Sequence, residues 1–130
     1  MFIKKLRDFM YYDSLPIFKS ALDLVVYMET IVEKFDKYHR YTLGEDLRVY
    51  SKALLFLIQR ANMSENRMQS LIKLRDKCEE VKMLIRVTQE LRVFKGFKQF
   101  EHCAKLSHEV CRQAQAWLNA CKPNTVGVTT

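Results

Sequence analysis

The chain reads as all-α, an antiparallel up-down-up-down four-helix bundle with a short N-terminal extension, and three features lead there. Apolar residues recur at spacings of three and four through four long segments, the period of one face of an α-helix. The 130 residues hold only three glycines and two prolines beside 48% hydrophobic residues, which leaves few turn-makers and argues against many short strands. The connections between the four segments are short, and short links between long helices force antiparallel neighbours. A chain of this length makes one domain that buries roughly two thirds of its unfolded surface.

Residues 1–14 are expected to form an N-terminal arm. Phe2, Ile3, Leu6, Phe9 and Met10 follow helical spacing, so a short amphipathic helix is predicted, packed on its own domain or on a neighbouring subunit. Three bases beside that face are a weak membrane signal. The bundle itself is placed at 15–121. Asp13 and Ser14 offer an N-cap, Pro16 suits a first turn, and the first helix is predicted to run to about Tyr38. Ile17, Phe18, Ala21, Leu22, Val25, Met28, Val32 and Phe35 give it a wide apolar stripe.

Arg40, Tyr41, Thr42, Leu43, Gly44 and Glu45 then form a helix-entry motif. Thr42 followed three residues later by Glu45 predicts a capping box, in which the threonine hydroxyl accepts the N3 amide and the glutamate reaches back to the threonine N–H. Asp46 adds a carboxylate at the positive end of the helix dipole. Arg40 has two readings, one held by its own turn and one aimed outward at a phosphate, and the position just before a cap favours the first. The second helix is predicted from about Leu43 to Ala61, with Leu47, Tyr50, Ser51, Leu54, Leu57, Ile58 and Ala61 inward. Leu55 and Phe56 fall off that stripe, as flanks of the core or as a patch for subunit contact.

Ser64 is the expected N-cap of a third helix from about Glu65 to Phe94. Its seam is Leu71, Leu74, Cys78, Val81, Ile85 and Thr88, with Leu84, Val87 and Leu91 as a second apolar stripe. Lys95 and Gly96 break the chain, and a fourth helix follows from Phe97 to about Ala120. Residues 122–130 have too little to bury and are expected to be a disordered tail.

No catalytic constellation emerges. His39, His102 and His108 lie in separate contexts, and with so few glycines neither a phosphate-cradling loop nor a dinucleotide fingerprint can be built. The expectation is a protein that is not an enzyme and uses no cofactor. Cys78, Cys103, Cys111 and Cys121 include no C-x-x-C pair and read as small core residues of a reduced compartment. His108 and Cys111 share a helix face, but a zinc site needs four ligands and no second pair is at hand, so no metal is expected. No apolar run approaches the roughly 18 residues of a membrane span and no cleavable signal stands at the start, so a soluble, cytoplasmic protein with no membrane partner is expected.

Net charge is +7, from 22 lysines and arginines against 15 acids. A basic cluster, Arg86, Arg92, Lys95, Lys98 and Lys105, surrounds the last helix connection against Glu90 and Glu101, with Phe94 and Phe97 interleaved. Bases supply the phosphate-directed part of nucleic-acid affinity, and aromatic rings can stack on open bases. The plainer reading is a solvated bundle end whose phenylalanines cap the core.

The wording of the entry motif, Arg40-Tyr41-Thr42-Leu43-Gly44 followed by Leu47-Arg48, resembles the Avd-like four-helix bundle family. That family includes the accessory variability determinant of diversity-generating retroelements and proteins encoded in bacterial ribosomal-RNA intervening sequences. Ala61-Asn62, Leu84-Ile85-Arg86, Phe97 through His102 and Trp117-Leu118 support the resemblance by their order over roughly residues 15 to 120. It implies a homopentameric barrel with a positive surface that binds nucleic acid together with a reverse transcriptase. With no groove-reading element in the sequence, RNA or DNA is expected to be bound with little sequence preference. The function implied is that of a non-catalytic accessory protein assisting mutagenic copying of a template RNA. The alternative is a bundle-type assembly module from a ribosomal-RNA insert, with charge that serves solubility.

Overall fold

The computed structural model describes residues 15–123 of the chain. The N-terminal arm and all but the first two residues of the expected tail lie outside that range. The described residues form α1 (Pro16–Val32), α2 (Lys37–Tyr41), α3 (Leu43–Met63), α4 (Arg67–Glu90) and α5 (Phe97–Cys121). The four long helices pack as a closed ring: α1 on α3, α3 on α4, α4 on α5, and α5 back on α1. Cross-helix pairs fix the antiparallel directions. Glu29 of α1 meets Arg48 and Lys52 of α3 at 3.0 and 2.8 Å, Lys77 of α4 sits 4.3 Å above the Tyr50 ring, and Gln113 of α5 donates to Ser20 of α1 at 2.8 Å. The all-α bundle is therefore as the sequence predicts.

Pro16 opens α1 because its fixed φ suits the first turn, where its missing N–H removes no helix bond. The N-cap position is Leu15, which offers no side-chain acceptor. The buried stripe of α1 includes Leu24 and Ile31, whereas Leu22 points outward. The first helix stops at Val32 rather than Tyr38. Lys34 and Phe35 turn back onto the carbonyls of Ile31 and Val32 at 3.0 Å, a tightened last turn. Asp36 then starts α2 as its N-cap, its carboxylate accepting the His39 amide at 3.1 Å. Apolar periodicity alone could not reveal that break, because the turn still delivers Phe35 into the core, where it is fully buried.

The capping box does not form. Thr42 occupies the N-cap of α3, but its hydroxyl donates back to the Tyr38 carbonyl at 2.9 Å and closes the preceding turn. Glu45 instead approaches Arg48 at 3.9 Å. Gly44 has a different role: a Cβ there would stand 2.6 Å from Val32 Cγ1 and 2.9 Å from the His39 carbonyl oxygen. Only a residue without a side chain lets the first turn of α3 lie this close to α1 and α2.

The seam predicted for α4 is buried along its whole length, from Leu71 through Thr88. Ser64 does not cap α4; its hydroxyl accepts the Asn66 amide at 3.1 Å within the turn, and the helix begins at Arg67. The Arg67 guanidinium reaches back to the carbonyls of Ala61 and Asn62 at 3.1 and 3.2 Å, satisfying the end of α3. At its far end α4 stops at Glu90, short of the expected Phe94, because the chain turns at Arg92.

Candidate nucleic-acid interface

An up-down-up-down bundle brings its first and third connections to the same end, here residues 33–42 and 91–96. Phe35 and Phe94 meet edge-on there with ring centroids 6.0 Å apart, and Phe94, Phe100 and Phe97 continue the cluster at 6.1 and 5.7 Å. Phe94 is buried and closes the core, as the plainer sequence reading has it, while Phe97 is 63% exposed. The longer helices outreach the 17-residue α1, by roughly 10 Å for the 24 residues of α4, and Phe35 with α2 covers the gap this leaves.

The break after α4 is a Schellman turn built on an unusual residue. The Val93 amide donates to the Thr88 carbonyl at 3.1 Å and the Arg92 amide to that of Gln89 at 2.9 Å, the paired bonds of that motif. Arg92 holds the left-handed conformation, φ 58°, where glycine is usual. The following Val93 and Phe94 are thereby turned into the core. Gly96, which the sequence marks as the breaker, is extended with open space around it, so any residue would serve.

The five predicted bases divide in two. Arg86 pairs with Glu90 at 2.8 Å and Lys105 approaches Glu101 at 3.9 Å, all four side chains well exposed. Exposed pairs of this kind are worth about 0–1 kcal/mol, so a phosphate competes with them easily. Arg92, Lys95 and Lys98 make no ion pair among the described residues. Arg86 also borders a groove of about 300 Å³ between α4 and α5, with Phe100 and His108. Lys105 stands two turns into α5, roughly 12 Å from its start.

The first connection adds residues that the sequence reading missed. Lys34 and Lys37 are exposed there and likewise unpaired among the described residues, and Tyr38 and Tyr41 expose most of their rings. The Lys95 charge helps to hold the Asp36 carboxyl below its ordinary range, after the larger effect of the hydrogen bonds from the His39 ring and amide. The Phe35–Phe94 ring contact already sets the two connections side by side. Topology carried the missing signal, since antiparallel helices place these connections side by side.

Arg40 belongs to the scaffold. Its guanidinium donates to the Phe35 carbonyl at 3.2 Å and lies 6.0 Å from the Tyr41 ring centroid, with Nε buried and without a partner among the described residues. Tyr41 is exposed, Leu43 is half-buried against the core, and Glu45 faces Arg48, so the entry motif mixes structure and surface. Among the described residues no group of His, Cys, Asp and Glu could hold a metal, and no helix is long and apolar enough to cross a membrane.

Among the described residues two apolar stripes stand exposed. On α3, Val49, Phe56 and Met63 do so at intervals of seven; on α4 and its C-cap, Met83, Val87 and Leu91 do so at intervals of four. The second differs from the expected stripe, because Leu84 packs half-buried against the core and Met83 takes its place outside. Leu55 likewise joins the core, leaving Phe56 outward.

Residues 3–121 match the family model described as bAvd-like, which covers the entry motif, both connections and most of the N-terminal arm. No curated protein matches the chain.

Proposed function

The chain belongs to the bAvd-like family, and on that premise we propose that it is a non-catalytic, cytoplasmic accessory protein of a diversity-generating retroelement. In this reading it binds RNA or DNA with little sequence preference, engages the element's reverse transcriptase, and so assists mutagenic copying of a template RNA. The observation that carries the nucleic-acid part is the bundle end where Lys34, Lys37, Arg92, Lys95 and Lys98 make no ion pair among the described residues and stand beside exposed Tyr38, Tyr41 and Phe97. Unpaired bases attract phosphate without first breaking an ion pair, and exposed rings offer stacking surfaces to single strands. Phosphate contacts position a nucleic acid without specifying its sequence, so template choice falls to the reverse transcriptase or to the RNA's own shape.

The proposed assembly is a homopentamer. Stripes on two different helices of each subunit support a heterologous contact, α3 of one copy against α4 of the next, and such contacts close into rings when the rotation permits. Light scattering at micromolar concentration tests this: a pentameric mass is expected, and a monomeric mass overturns it.

Binding is tested by titrating labelled RNA and DNA of unrelated sequences over a range of salt. Affinity should fall with salt at a log-log slope of about −0.7 to −0.9 per phosphate neutralised. Lys95→Glu with Lys98→Glu should weaken binding to every sequence while helical signal and oligomer mass stay unchanged. Salt-independent binding, or none at low salt by the folded protein, overturns the nucleic-acid reading and leaves an assembly module.

A further inference from the structure

Cys78 of α4 and Cys111 of α5 face each other across the seam between these helices. Lys82 and His108 line the same stretch of the α4–α5 groove. One turn toward the N-terminus of α4 from Lys82 is Cys78, and one turn toward the C-terminus of α5 from His108 is Cys111. In antiparallel helices those two steps run the same way, so the thiols come level. Facing Cα atoms on helices whose axes are about 8–10 Å apart lie roughly 3.4–5.4 Å from each other, a range whose upper part meets the near end of the span a disulfide bridges.

Their surroundings differ. Cys78 is sealed in the core, whereas Cys111 is half-buried and lines an open groove of about 390 Å³ that also exposes Glu79, Lys82, His108 and Arg112. Interaction with the Cys78 thiol, helped by the Lys82 charge, holds the Cys111 thiol below its ordinary range against the opposing effects of burial and Glu79. The same interaction, with burial, pushes Cys78 up. Cys103 has no such partner, and burial alone pushes it up to about 12.

We propose that Cys111 and Cys78 form a hydroperoxide-responsive thiol pair, with Cys111 as the attacking sulfur at the groove and Cys78 as the resolving sulfur behind it. The Cys111 thiolate attacks one peroxide oxygen; the O–O bond breaks, and the leaving hydroxide takes up a proton as water. Cys111 becomes a sulfenic acid, oxidised by two electrons as the peroxide is reduced by two. The Cys78 sulfur then gives up its proton and attacks the Cys111 sulfur, the S–O bond breaks, and hydroxide leaves with that proton as a second water. The disulfide staples α4 to α5 in mid-helix, far from the connection at residues 91–96 that joins them. Dithiol reductants reverse it by thiol exchange.

The test treats the reduced full-length protein with hydrogen peroxide, quenches with N-ethylmaleimide and maps thiols by non-reducing digestion and mass spectrometry. The expected product is an intrachain Cys78–Cys111 linkage, lost on adding dithiothreitol. In the untreated native protein Cys111 should label with N-ethylmaleimide about tenfold or more faster than Cys103, since the thiolate is the reactive form. In Cys78→Ser, dimedone should trap a sulfenic acid at Cys111, and the wild-type linkage remains a full test should that variant fail to fold. Disulfides formed only between chains, oxidation falling first on Cys121, or Cys111 oxidised past the sulfenic acid with no link to Cys78 would overturn the proposal.

Discussion

Gly44→Ala separates two opposed effects whose sizes follow from the structure. Gly44 is the second residue of α3, and in a helix interior alanine is favoured over glycine by about 1 kcal/mol, less in the first turn. Against that gain, the new methyl would lie 2.6 Å from Val32 Cγ1 and 2.9 Å from the His39 carbonyl oxygen. Val32 is fully buried and the carbonyl is backbone, so neither gives way without moving α1 or α2. Overpacking of a tight core costs about 1–3 kcal/mol. The clash should win, with a net loss of about 1–2 kcal/mol and a Tm lower by about 4–8 °C for a chain of this size.

Thermal and urea unfolding followed by far-ultraviolet circular dichroism would measure it, at fixed protein concentration because assembly shifts apparent stability. A double-mutant cycle gives the sharper reading. Val32→Ala alone should destabilise by about 2 kcal/mol through the cavity it leaves. It also removes the nearer of the two clashing atoms, so Gly44→Ala should cost about 1 kcal/mol less in that background. A higher Tm for Gly44→Ala in the otherwise native chain would refute the reasoning, since propensity would then outweigh the close approach.

Arg92→Gly should raise stability by about 1 kcal/mol, because glycine takes the left-handed position without the steric cost an L-residue carries there. The same change should lower nucleic-acid affinity and reduce the steepness of its salt dependence by roughly the share of one phosphate, read in the same titration. Thr42→Ala should shift stability by no more than about 0.5 kcal/mol, since its exposed hydroxyl closes a turn and caps nothing; Asp36→Ala, which removes the cap of α2, should lower Tm further. Stability should fall as pH drops from about 5 toward about 2. Glu29 is held below its ordinary range chiefly by the Lys52 hydrogen bond, and Glu109 is pushed down to about 2 by hydrogen bonds from Arg112 and Gln113. Their folded pKa values lie below the unfolded ones, so their contribution is present above the ordinary carboxylate range and is lost as they protonate. Thermal melts across that range check the sign, and Arg112→Gln should flatten the lowest part of the limb.

The fold was legible because burial in a bundle is written as spacing. The inward set of α4, Leu71 to Thr88, follows from counting threes and fours, and so do the segment order and the antiparallel packing. The misread boundaries share a physical cause: a turn that keeps delivering apolar residues to the core preserves the pattern while ending the helix. Phe35 does this after α1, and Val93 and Phe94 do it after α4. Thr42 illustrates a different limit. A threonine hydroxyl can accept from the amides ahead or donate to the carbonyl behind, and nothing in the local sequence chooses between them.

The candidate interface was half legible for a related reason. Sequence proximity gathered Arg92, Lys95 and Lys98, but the segment holding Lys34, Lys37, Tyr38 and Tyr41 is more than fifty residues away and joins them only through topology. Once the two connections share one end, charge and fold divide the bases between two tasks. Arg40 turns inward to a carbonyl and holds the turn that sets α3 against α1. Arg92 does the reverse: its backbone makes the turn that a glycine would make with less strain, and its side chain is left outside. The proposed phosphate contact would account for a charged residue at this strained position, since glycine should hold the turn at less steric cost. The same end of the bundle thus carries the close backbone packing at Gly44 and, among the described residues, the unpaired charges of Arg92, Lys95 and Lys98, scaffold beneath and proposed binding surface above.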